Sequence, residues 1–194
     1  QLETIYAYYK FEEFDMAISS ADRFIKLHPR HGNVDYAYYL KGIAAFHKKD
    51  APLDFLAPAD PATKDPNSAR ESFNFFAELV KRYPDSKYAP DAIKRMRYQR
   101  NTLADHELRV ADYYLKRGAY VAAANRSKYV VENYPQTPAV PNALAMLAEA
   151  YTALKMDDLA MDARQVLELN FPDFGKKPVA VETQSGEDDQ QKEI

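Results

Sequence analysis

Two histidines, His28 and His31, stand three residues apart in the run LHPRHGN. On a continuous helix that spacing could seat two ligands of a divalent metal. Here Pro29 falls between them and breaks any helix, and no third ligand is indicated nearby, so the pair reads as turn histidines. His47 and His106 stand alone and read as surface or groove residues. Carboxylates are numerous, but none sits in a GxSxG, phosphate-loop or HExxH context, so no enzyme chemistry is indicated. A second candidate is electrostatic. Residues 81–100 hold Lys81, Arg82, Lys87, Lys94, Arg95, Arg97 and Arg100 against only Asp85 and Asp91, a local charge of +5. Such a run could attract nucleic acid. The chain as a whole carries −3, however, and the body before residue 182 only about +1, well short of a nucleic-acid footprint. A solvated or protein-facing basic helix fits better. A third candidate is aromatic. Tyrosine occurs 15 times, with adjacent pairs at Tyr8–Tyr9, Tyr38–Tyr39 and Tyr113–Tyr114. Neighbours on a helix point about 100° apart, so one of each pair can pack while the other lines a groove for a peptide.

Those side chains must be held by helices, and four segments say which. Ala17–Pro29, Ser72–Pro84, Ala123–Pro135 and Ala160–Pro172 share one grammar. Each starts on a small residue and ends twelve positions later at Pro, preceded by His28, Tyr83, Tyr134 or Phe171. Five residues before each Pro is a bulky apolar group: Phe24, Leu79, Val130 or Leu167. Tyr8, Tyr114 and Tyr151 lie twenty-one residues before their prolines, with Ile5, Ala111 and Ala148 three residues earlier. This is the pattern of tetratricopeptide (TPR) repeats. The small residue lets helix B approach helix A, the tyrosine fills the gap beside it, and Pro ends helix B. Gly is scarce at 5 and Cys absent, so no disulfide or thiolate chemistry is available, and no stretch is long and apolar enough to span a membrane.

The expected fold is therefore all-α: a TPR-type helical-hairpin solenoid over 1–174 with about four repeats, and a disordered acidic C-terminal tail over 175–194. The hairpins are expected at about 2–29, 35–84, 89–135 and 139–172. The second carries a Pro-rich insertion over 50–67, which either serves binding or is a passive loop. Asn67 or Ser68 is expected to cap the helix after it, and Asp157 or Asp158 the last helix. Gly42 is expected to admit a neighbouring backbone. From Pro90 to Arg117 no breaker occurs, which predicts one unusually long helix A over 89–117. The tail from 182 carries Glu182, Glu187, Asp188, Asp189 and Glu193 against Lys192, a net −4.

The strings IYAYYK, ADRFIKLHPRHGNVDYAYYLKG, KDPNSARESFNFFAELVKRYPDSKYAPDA and ADYYLKRGAYVAAANRSKYVVENYPQTPA resemble the BamD family, the lipoprotein subunit of the Gram-negative β-barrel assembly machinery. The resemblance spans about residues 2–172 and includes the prolyl insertion and the long helix. It implies a non-enzymatic scaffold without cofactors, lipid-anchored at the periplasmic face of the outer membrane. The implied partners are the last POTRA domain of BamA, BamC, BamE and unfolded outer-membrane proteins, with no nucleic acid and membrane contact only through the anchor. It also implies a lipid-bearing Cys and a first repeat, neither present in this sequence, which suggests a fragment. By that resemblance Arg117 in KRGAY and Arg126 in AANRSK, with Tyr114, would dock BamA, and Arg23 in ADRFIK would hold BamC unless it forms a plain ion pair within its helix. Arg126, three residues past the packing position Ala123, is expected to lean off the core without a strong internal partner, beside Arg117 at one end of the hairpin. A general TPR peptide-binding adaptor or co-chaperone is the other class compatible with the pattern.

Overall fold

The computed structural model describes residues 1–48 and 66–175. Most of the Pro-rich insertion and nearly all of the acidic tail lie outside those residues. Among the described residues there are eight α-helices and no strand. They are α1 (Leu2–Lys10), α2 (Phe14–Leu27), α3 (Val34–His47), α4 (Pro66–Arg82), α5 (Ala89–Lys116), α6 (Tyr120–Asn133), α7 (Val140–Ala153) and α8 (Asp157–Asn170). Each packs on the next, giving four hairpins in series, and the A helices also touch across repeats, α1 on α3 and α5 on α7.

The repeat grammar is written in hydrogen bonds. The bulky residue five before each Pro supplies the last helical carbonyl, accepting from the residue before Pro: His28 to Phe24, Tyr83 to Leu79, Tyr134 to Val130 and Phe171 to Leu167, at 2.8–2.9 Å. His28, Tyr134 and Phe171 have φ of −131°, −123° and −135°, the extended backbone that a following proline enforces. The same four residues then accept from the residue three further on. The small residues Ala17, Ser72, Ala123 and Ala160 are all buried.

Within hairpins the turns are also alike. Glu12, Gly118 and Lys155 adopt positive φ. The following amides return to the carbonyls of Tyr8, Tyr114 and Tyr151 at 2.9–3.0 Å. These are Schellman caps, and the repeat tyrosines close them.

Helix α5 spans 28 residues, about 42 Å at 1.5 Å per residue. It links two cores. Ala92 belongs to the first, with Ile5, Phe24, Leu40, Phe76 and Leu79. Leu103, Ala104 and Leu108 belong to the second, with Val130, Tyr134 and Ala143. Between them Gln99 is buried, and neither polar atom of its side chain has a hydrogen-bond partner among the described residues.

Three local expectations are corrected. Helix α4 already begins at Pro66, so Asn67 and Ser68 lie inside its first turn. Proline suits that first helical position because its missing amide has no carbonyl to bond there. Met156 is the N-cap of α8, and Asp157 and Asp158 sit in its first turn, where they complement the helix dipole instead of capping an amide. Gly42 makes room for a ring: a β-carbon there would stand 2.4–2.9 Å from carbons of the fully buried Phe76. The Gly42 carbonyl accepts from Ser72 Oγ at 2.7 Å.

Candidate partner-binding site

The four residues singled out by sequence fall in three places. Arg117 is the C-cap of α5, fixed by the Schellman turn at Gly118. Its guanidinium lies 4.9 Å from the centre of the Tyr113 ring, a cation–π contact. Arg117 is exposed, and no carboxylate pairs with it among the described residues. Tyr113 is 52 % exposed, whereas Tyr114 packs with Leu115, Tyr120 and Tyr151 against the third core. The pair thus splits as adjacent helical tyrosines should, but Tyr113 is the one beside the cation. Tyr114 is half-buried in packing.

Arg126 differs from expectation. It has a strong internal partner: Nη1 donates to Glu107 Oε2 at 2.8 Å. The Glu107 side chain is only 5 % exposed, while that of Arg126 is 47 % exposed. The other carboxylate oxygen faces Nη2 of Arg70, from α4, at 3.6 Å. Nor is Arg126 beside Arg117. Because α6 runs antiparallel to α5, each residue after Gly118 climbs back along the long helix, and Arg126 meets Glu107, ten residues and about 15 Å from Arg117. Glu107 and Arg70 were not found from the sequence. The available signal was a carboxylate on the apolar face of α5, one turn from both Leu103 and Ala111, which requires a cation from a packed neighbour.

Arg23 is exposed on α2 and forms no ion pair among the described residues, so the helix-B ion pair is not made. Its neighbour Asp22 pairs with Lys41, whose ammonium also lies 3.9 Å from the Phe75 ring centre.

The A helices carry an aromatic surface. The Tyr88 ring stacks between Tyr36 and Tyr39, at 5.1 and 4.8 Å. Tyr39 donates its hydroxyl to Asp91 at 2.7 Å, and Arg95 Nε donates to the same oxygen at 2.6 Å. Burial, then the hydrogen bond to Asp91, push the Tyr39 hydroxyl up to about 12. Burial would raise the Asp91 carboxyl, but the bonds from Arg95 and Tyr39, with the Arg95 and Lys94 charges, outweigh it and hold it below the usual carboxylate range. Arg95 covers the Phe46 ring at 5.3 Å, and Phe46 meets Tyr98 at 5.9 Å. Tyr6 and Tyr9 extend the surface onto α1. His28 and His31 both pack on Phe24, and His31 Nδ1 accepts from the Asn33 amide at 3.1 Å. No group of three metal-ligating side chains occurs among the described residues.

A family described as YfiO, outer membrane lipoprotein, matches residues 1–167. The chain belongs to the YfiO family. It is similar to the outer membrane protein assembly factor BamD of Neisseria gonorrhoeae, 49 % identical over 172 residues, covering 89 % of this chain and 64 % of that protein. The BamD of Neisseria meningitidis serogroup B is 48 % identical over 180 residues, covering 92 % of this chain and 67 % of that one. The BamD of Xylella fastidiosa Temecula1 is 43 % identical over 180 residues, covering 91 % and 61 %. The chain thus spans about two thirds of the length of these curated relatives. Membership of the YfiO family assigns it to the outer membrane. None of the described helices is long and apolar enough to cross a membrane.

Proposed function

We propose that this YfiO-family chain is a non-enzymatic scaffold in the assembly of β-barrel proteins, working at the periplasmic face of the outer membrane. Its C-terminal hairpins would dock the last POTRA domain of BamA, with BamC, BamE and unfolded outer-membrane proteins as further partners. The observation that carries the docking assignment is Arg117: a guanidinium carried at a capped helix end, backed by an exposed tyrosine and lacking a carboxylate of its own among the described residues. A planar fork in that state suits a partner carboxylate. Arg126 supports the reading less strongly, because one of its edges is already committed to Glu107. Tyr114 serves the dock by setting the hairpin turn, its carbonyl accepting from Ala119. Arg23, exposed and without an ion pair among the described residues, is the matching candidate for BamC. The aromatic surface of α1, α3 and α5 offers stacking area for an extended apolar-aromatic chain. Capture by immobilised BamA periplasmic region tests the dock. Arg117→Glu should lose capture with an unchanged thermal melt, and Arg23→Glu should retain it. Normal capture of Arg117→Glu would overturn the assignment.

A further inference from the structure

Because α5 is so long, α4 pairs antiparallel with its first half and α6 with its second. The start of α4 and the end of α6 therefore meet midway along α5. At that junction lies a cleft of about 260 Å³. Arg70, Phe73 and Asn74 enter it from α4, Arg100 and Leu103 from α5, and Tyr134 from the end of α6.

We propose that this cleft binds an acidic segment of a partner protein, the carboxylates falling on Arg70 and Arg100 and an adjacent apolar side chain on Phe73 and Leu103. This is a separate surface from the Arg117 dock and does not rest on it. The argument is charge complementarity. Among the described residues Arg100 is committed only through Nη2 to the Pro135 carbonyl, at 2.7 Å, and has no carboxylate partner. Arg70 reaches Glu107 at 3.6 Å, beyond hydrogen-bond range, while Glu107 gives its close contact to Arg126. Among the described residues, two guanidiniums thus share one carboxylate that is closed to solvent, Arg100 has no carboxylate, and no carboxylate lines the cleft. Glu107 is a buried anchor for Arg126 and is not among the residues that line the cleft. Tyr134 lines the cleft beside Arg70 and adds an aromatic wall to it.

The chemistry selects a peptide over a nucleic acid. The half-buried Phe73 and buried Leu103 give an apolar floor, the volume suits one or two side chains, and the chain's overall charge of −3 disfavours a polyanion. Two arginines lining one cleft match carboxylates in an extended chain, and bidentate geometry favours a carboxylate over a lone carbonyl.

A fluorescein-labelled decapeptide carrying Glu-Phe-Glu in a Gly-Ser frame, with its Gln-Phe-Gln counterpart, tests this by anisotropy on the full chain. The Glu peptide should bind roughly tenfold tighter than the Gln peptide. It should weaken as salt rises from about 50 to about 300 mM. Arg100→Ala should weaken it by roughly tenfold, as should Asn74→Trp, which fills the cleft from an exposed position and keeps the test open if Arg100→Ala folds poorly. Arg117→Glu should leave it unchanged. Equal affinity for the two peptides, indifference to both cleft variants, or loss in Arg117→Glu would each overturn the proposal. The last outcome would move the peptide to the hairpin tip, and BamA capture by the same Arg117→Glu protein separates that case from failure of the docking reading.

Discussion

Arg126→Glu is expected to unfold the protein more easily as well as to alter binding. In the folded chain Arg126 Nη1 is 2.8 Å from Glu107 Oε2, and the Glu107 side chain is 5 % exposed. Removing one partner of a fully buried pair costs about 3–5 kcal/mol. Two features reduce that here. The Arg126 side chain is 47 % exposed, and Arg70 remains 3.6 Å from the other oxygen. Neutral truncation should then cost about 1–3 kcal/mol. Charge reversal adds repulsion between two carboxylates roughly 5 Å apart, at most about 3 kcal/mol at an effective dielectric of about 20, less as the new side chain swings to water. A total near 3 kcal/mol corresponds to a melting temperature lower by about 6–12 °C in a chain of this size. Far-UV circular dichroism melts of the parent, Arg126→Gln and Arg126→Glu should show that order, and Arg126→Gln with Glu107→Gln should recover part of the loss. A melt of Arg126→Glu within about 1 °C of the parent would refute the claim that Glu107 is a buried counter-charge. It follows that failed BamA capture by Arg126→Glu cannot by itself locate a dock, whereas failed capture by Arg117→Glu can.

Gly42→Ala should lose about 1–2 kcal/mol in urea unfolding, because overpacking against the boxed-in Phe76 ring outweighs the roughly 1 kcal/mol that alanine adds to a helix. A gain in stability would mean that the ring can move aside. Gln99→Leu should raise the unfolding free energy by about 1–2 kcal/mol, since it removes two buried polar atoms without partners among the described residues. Lys155→Gly should be neutral to about 1 kcal/mol stabilising in the same assay, because glycine takes the positive φ of 60° without penalty, whereas a clear loss would mean that the Lys155 side chain contributes at the turn. The Tyr39–Asp91–Arg95 contacts should support the fold between the two extremes of pH. Asp91, held low when folded, adds stability above its unfolded value near 3.9, lost as pH falls through its lower folded value, and Tyr39 adds stability below about 10, lost as pH rises toward about 12. Tyr39→Phe should flatten both limbs of a stability–pH curve, and the ultraviolet titration of the parent minus that of Tyr39→Phe should report a phenol ionising near 12.

What could be read from sequence follows a physical rule. Helix ends were legible because their causes are local. Pro at i+1 forces the extended φ of His28, Tyr134 and Phe171, and the residue four back must supply the last carbonyl, so four matched strings gave four matched turns. The long helix was legible for the same reason, as an absence of breakers between Pro90 and Arg117. The Glu107–Arg126–Arg70 cluster was not legible, because it joins α4, α5 and α6 across nineteen and thirty-seven positions, and nothing local fixes how far α4 slides along α5. Gly42 shows the same limit: the need for a small residue was evident, but whether a backbone or a ring would fill the space depended on Phe76, thirty-four residues away.

The length of α5 is what separates the two proposed basic sites. Helices of equal length would lay α4 and α6 side by side, and the residues at their ends would meet only turns. A helix of 28 residues instead places them in line, so that the start of one and the end of the other leave a cleft over its midpoint. Arg100 and Glu107 belong to that midpoint, two turns apart on one helix, with opposite fates: the carboxylate is buried as an anchor, the guanidinium left half-buried at the cleft. Arg117 belongs to the far end, where the Tyr113 ring backs it. The two sites are about 25 Å apart along one rigid element, from the seventeen residues between Arg100 and Arg117. A partner that engaged both would therefore bind with a fixed spacing. Shortening α5 between them by one turn should disrupt joint binding far more than either site alone.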